Sequence, residues 1–207
     1  MRRVFLCLSL AAAVASSQYK YEAAGAPPEE LAPAIREALQ KTGAKVVASS
    51  GAVFAEVWFR SQAPSGGAAE EGASLSGIPH GALVGVIRFP AKGADRRGQG
   101  LKPGVYTLRL SFYPVDGAHQ GVSPQRDFLL LVPAAEDKDL NAAPDYEALV
   151  KMSVKASGTA HPAILSVWKL EKAEPAGVKQ EGEGGWVLHG AIGSVPVGVI
   201  VVGTHTG

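Results

Sequence analysis

Between Pro114 and Asp127 the chain sets an acid, a titratable base, a hydroxyl, a fixed cation and a second acid: Asp116, His119, Ser123, Arg126 and Asp127. Asp, His and Ser are the types used in acyl transfer, where the base takes the serine proton, the acid orients the base and an oxyanion hole holds the developing charge. No Gly-x-Ser-x-Gly turn is present to expose such a serine, and residue types in one loop do not supply the geometry. Binding is the better reading. Asp116 and Arg126 are expected to brace the loop by an ion pair, Asp127 to accept from backbone N–H groups, and His119 to point outward as the functional group.

Metal chemistry is the second reading of these residues. His80, His119 and His161 lie in Gly- and Pro-rich loops (Pro79-His80-Gly81, Gly117-Ala118-His119, His161-Pro162). Brought together with Asp116 or Asp127, they could hold a divalent transition metal with an open position, as in catalytic zinc or iron sites. No tight His-x-x-x-His spacing supports this, and a loop histidine is more often satisfied by ordinary hydrogen bonds. Glu136, Asp137, Asp139 and Asp145 form an acidic stretch without the Asp-x-Asp-x-Asp-Gly spacing of a calcium loop, so a solvated loop is expected there.

Two strands must carry the first loop. From Val105 to Tyr113, Tyr106, Leu108, Leu110 and Phe112 alternate with Thr107, Arg109 and Ser111, the pattern of a half-buried strand. Lys102-Pro103-Gly104 turns the chain into it. Phe128–Val132 is apolar throughout, which calls for cover on both faces. A connection of roughly a dozen residues between them exceeds ordinary hairpin length and points to function.

Other strands are read at 45–48, 52–60, 83–89, 163–170, 186–192 and 195–202, for about eight in all. Pro28 to Lys41 has a helical stripe in Leu31, Ile35, Ala38 and Leu39, and Tyr146–Met152 suggests a short helix. Ser61–Pro79 reads as a mobile loop and Glu171–Gly185 as a polar one. Strands without alternating helices predict an all-β, mainly antiparallel domain, a sandwich or barrel, with one N-terminal amphipathic helix and one short helix. The expected division is a signal peptide at 1–17, a helical segment at 18–43 and the β domain at 44–207.

Arg2-Arg3, an apolar core and Ala13-Val14-Ala15 describe a secretory signal, cleaved after Ala15 or Ser17. Its apolar run is shorter than the roughly 20 residues a spanning helix needs. The single cysteine, Cys7, falls inside it, so the exported chain would have neither a disulfide nor a thiolate metal ligand. Loss of Arg2 and Arg3 from 20 basic residues against 19 acidic ones leaves a net charge near −1. With no basic block, nucleic acid is excluded as an expected partner.

The elements Gly104-Val105-Tyr106-Thr107-Leu108-Arg109, Pro114-x-Asp116-Gly117-x-His119-x-Gly121, Ser123-Pro124-x-Arg126-Asp127-Phe128 and Ser157-Gly158-Thr159-x-His161-Pro162 together resemble a group of exported bacterial proteins without an assigned activity. The resemblance covers most of the chain after the signal. It implies export to the periplasm or beyond and a single domain, and it supplies neither substrate nor catalytic residue. The expected function is an exported module that binds an unknown ligand or envelope protein through loop 114–127. The alternatives are a metal-dependent enzyme using the loop histidines and a purely structural envelope module.

Overall fold

A computed structural model describes residues 18–114, 126–181 and 185–203. The proposed signal segment, the loop positions Asp116, His119 and Ser123, and His205 lie outside the described residues.

In chain order the elements are β1 (Tyr19–Ala23), α1 (Pro33–Ala38), β2 (Ala44–Ala48), β3 (Val53–Phe59), β4 (Leu83–Phe89), β5 (Gly93–Ala94), β6 (Gly100–Leu101), β7 (Gly104–Phe112), β8 (Asp127–Pro133), α2 (Tyr146–Ser157), β9 (Ile164–Lys169), β10 (Gly177–Glu181), β11 (Gly185–Ile192) and β12 (Val195–Val202). Ten of the strands form one antiparallel sheet in the order β1-β2-β3-β4-β7-β8-β9-β12-β11-β10, curled into a nearly closed barrel. All eight strands expected from the alternation are present. The expectation for 171–185 needs correction, because β10 lies within it and pairs with β11. So does that for 18–43, where β1 precedes the helix and pairs with β2.

The inward face follows the alternation read from sequence. Tyr106, Leu108, Leu110 and Phe112 of β7 join Leu129 and Leu131 of β8, Leu165 and Val167 of β9, and Val197 and Val199 of β12 in one cluster that fills the barrel. Edge-to-face ring contacts step across it from Tyr106 to Phe89, Phe54, Tyr19 and Trp186. The last step, Tyr19 to Trp186 at 5.5 Å, bridges the seam where the outermost strands β1 and β10 lie side by side.

The outward face is covered in two places. Leu31, Ile35 and Leu39 pack on Trp58, Leu83 and Val86. The expected helix from Pro28 to Lys41 is only Pro33–Ala38. Pro33 drives the preceding Ala32 to φ −55° and ψ 138°, extended rather than helical. Of the apolar stripe, Leu31, Ile35 and Leu39 are nevertheless buried, with Ala38 half-buried. On the other side α2 lays Leu149 over Phe128, Leu130, Val132 and Ile164, which is why β8 is apolar on both faces. Asp145 caps α2 by accepting from the Ala148 N–H, and Gly158 at φ 64° ends it.

Between these two covers runs the strap 134–145, and it corrects the half-buried reading of β7. Thr107, Arg109 and Ser111 are all 0% exposed. Arg109 spends all five N–H donors: Nε and Nη2 on the two Asp137 oxygens, each at 2.7 Å, and the others on the carbonyls of Gly81, Ala142 and Asp139. Thr107 donates to the same carboxylate. The expected solvated acidic loop therefore holds a buried carboxylate, which is tolerable only because each charge is paired and fully bonded.

Candidate functional site

Loop 114–126 leaves β7 at the upper end of the barrel, and three pieces of backbone converge there. Tyr113 and Arg126 close the neck: the Tyr113 N–H donates to the Arg126 carbonyl at 2.9 Å, and Arg126 Nε donates to the Tyr113 carbonyl at 2.8 Å. Arg126 also reaches the Glu71 carbonyl and lies 3.5 Å from the Glu70 carboxylate. Asp127, 0% exposed, accepts from the N–H groups of Ser74 at 2.8 Å and Leu75 at 2.7 Å. This is the backbone-capping role expected of it. Its partner loop 61–79, expected to be mobile, is anchored instead, with Leu75 and Ile78 buried in the barrel cluster and Ser74 Oγ accepting from the Lys169 N–H.

His80 stands on the other flank of this end. Its Nε2 lies 3.0 Å from Ser111 Oγ. The position is fixed by Arg109, which holds the Gly81 carbonyl, and by the Gly81 N–H on the Leu110 carbonyl. Gly81 cannot be replaced cheaply: φ is +76°, and a Cβ would meet the Pro144 carbonyl at 2.6 Å. Burial pushes the His80 pKa below the ordinary histidine value, against the opposing pull of Glu70 and Asp145. A neutral imidazole against a serine hydroxyl is the nucleophile–base distance, but Ser111 is fully buried. In this conformation the pair is a structural hydrogen bond.

Of the histidines expected to share a metal, His80 and His161 are both described and are not brought together. Leu83 pairs with Arg109, Arg109 with Leu130 and Leu130 with Ile164, so the four lie in one register row. His80 precedes Leu83 on a strand running down and His161 precedes Ile164 on a strand running up. They diverge toward opposite ends of the barrel. His119 lies outside the described residues, and among the described residues no three His, Cys, Asp or Glu side chains gather around a common point.

Two polar clusters escaped sequence reasoning. One is the Arg109–Asp137 pair, whose partners stand on different elements. The other is His189 on β11, 2% exposed, with Nδ1 3.1 Å from Glu174 and Nε2 2.8 Å from Glu181. The carboxylates sit on opposite edges of the ring, so they clamp β10 and the loop before it to β11. The register pairing His189 with Gly177 could not be read before β10 itself was recognised.

No protein-family model matches the chain, and no curated protein and no solved structure matches it either. What the fold defines is its class, a mostly antiparallel β domain with, among the described residues, a barrel-like ten-stranded sheet and two helices. Among the described residues no helix is long and apolar enough to cross a membrane.

Proposed function

We propose that this is an exported binding module that engages a macromolecular partner of the cell envelope through loop 114–127. The observation that carries the reading is the clamp beneath that loop. Its neck is closed by the two bonds between Tyr113 and Arg126, and Asp127 fastens the root of β8 to the 74–75 backbone. A loop held at its base loses less entropy on binding than a free one. The Pro114 and Pro124 residues restrict it further. Leucine, valine and aromatic side chains fill the barrel, which favours a partner met at the surface over a small ligand held inside.

In this reading Arg126 and Asp127 support the loop, and Asp116, His119 and Ser123 meet the partner. The test places a photo-crosslinking residue at His119 and, as control, at Lys151 on α2, in the full chain expressed in its own cells. The reading expects one discrete adduct from position 119, competed away by excess purified wild-type protein and absent from position 151. Equal adducts at both positions, or none that wild-type protein competes, would overturn it and leave the structural envelope module.

A further inference from the structure

The motif Ser157-Gly158-Thr159-x-His161-Pro162 plays no part in the upper end. Its loop follows α2 and packs against the 95–99 turn, and the two enclose an open groove of about 490 Å³ lined by Arg97, Gly98, Gln99 and His161. Both walls are fixed. Thr159 Oγ1 donates to Gln99 Oε1 at 2.7 Å, Arg97 Nη2 donates to the Pro162 carbonyl at 2.6 Å, and Gln99 Nε2 donates to the same carbonyl at 3.2 Å.

The charge balance of the groove is uneven. Asp95 is the nearest acid, 1% exposed, and its carboxylate is turned inward onto the N–H groups of Arg97, Gln99 and Ile164 and onto Gln99 Nε2. Arg97 Nε is 3.9 Å from Asp95, too far for a hydrogen bond, and is buried without one. The outer Nη1 of Arg97 and both ring nitrogens of His161 have no partner among the described residues. With the Asp95 carboxylate turned inward, the groove presents the guanidinium of Arg97 and the ring of His161 to solvent.

We propose that this groove is a binding site for a phosphate-type oxyanion, held by Arg97 Nη1 and the imidazole of His161. A flat carboxylate prefers the two-pronged edge of a guanidinium. Here one prong is taken by Pro162 and Nε is turned toward Asp95. The donors that remain come from two residues on two facing loops, which suits a tetrahedral anion presenting oxygens in several directions. The site shares no residue with the upper-end clamp, so it stands or falls separately from the partner-binding reading.

The experiment titrates the full chain without its signal with inorganic phosphate, the ionic strength held constant with chloride, and follows amide resonances of Gly98, Gln99 and Thr159 together with the ring resonances of His161. Saturable shifts confined to these residues are expected, with sulfate competing. His161→Ala, whose ring makes no bond to lose, and Arg97→Gln should each weaken binding by about tenfold or more, the scale of one charge-assisted contact. The exposed Lys172→Gln should leave it unchanged. If Arg97→Gln unfolds, His161→Ala alone decides. Shifts that chloride reproduces, or saturable shifts that survive His161→Ala with unchanged affinity, would overturn the proposal.

Discussion

Replacing Asp127 by alanine is the sharpest probe of the clamp. Its carboxylate is fully buried and satisfies two backbone N–H groups, at Ser74 and Leu75. Each donor stranded away from water costs about 1–3 kcal/mol. Leu75 is 2% exposed, so its N–H has no substitute, whereas Ser74 is half-exposed and can turn to solvent. The expected loss is therefore about 2 kcal/mol, in the middle of the range for one stranded donor, and about 4–8 °C in melting temperature for a domain of this size. Asp127→Asn keeps one acceptor oxygen but aims an NH₂ at the other N–H, so it should fall between wild type and alanine. Urea melts followed by circular dichroism, with calorimetry for the midpoint, measure both. A loss below about 1 kcal/mol for alanine, or an asparagine variant as stable as wild type, would show that the 70–75 segment is held by its own packing and that Asp127 is no clamp.

Other outcomes follow from the same structure. Asp137→Ala leaves the buried Arg109 guanidinium unpaired and should cost about 3–5 kcal/mol in urea melts, with part of that recovered when Arg109→Met is combined with Asp137→Leu. Leu108→Ala or Leu110→Ala, both 0% exposed in the barrel cluster, should cost about 2–5 kcal/mol. Burial holds His80 below its ordinary value, so on acidification the unfolded chain takes up the proton first. Stability should then fall as pH drops through about 6.5 and level off below the lowered folded value. His80→Gln should flatten that part of the stability–pH curve, and an unchanged slope would mean that other groups set it.

The strands were legible because β7, β8 and their neighbours keep a period of two or an unbroken apolar run. β10 was not, since Lys179, Gln180 and Glu181 give it the charged, exposed character with which an edge strand resists further pairing. The Thr107–Arg109–Ser111 face looked like solvent for a physical reason. Its cover is a strap whose acid, Asp137, lies 28 residues downstream of Arg109. Nothing local distinguishes a paired buried arginine from an exposed one. Of the candidate site, the capping role of Asp127 was readable because a short acid at a strand root commonly takes backbone N–H groups. That Ser74 and Leu75 supply them was not, because the contact spans 52 and 53 residues. That His80 and His161 lie apart was not readable, because loop composition says nothing about which end of the barrel a loop occupies. Strand direction decides that, and His80 and His161 enter their strands in opposite senses.

The central claim is that loop 114–127 carries the binding function while the barrel beneath it carries the stability. Exchanging residues 115–125 for a short Gly-Ser turn, with Tyr113, Arg126 and Asp127 retained, tests it most directly. Melting temperature and partner engagement would be measured on the same preparation, the latter by the ability of the variant to compete for the position-119 photo-adduct of the wild-type loop. The account predicts a melting temperature within about 4 °C of wild type, roughly 1–2 kcal/mol for a domain of this size, together with loss of competition. A variant that competes as well as wild type, or one that unfolds, would contradict it.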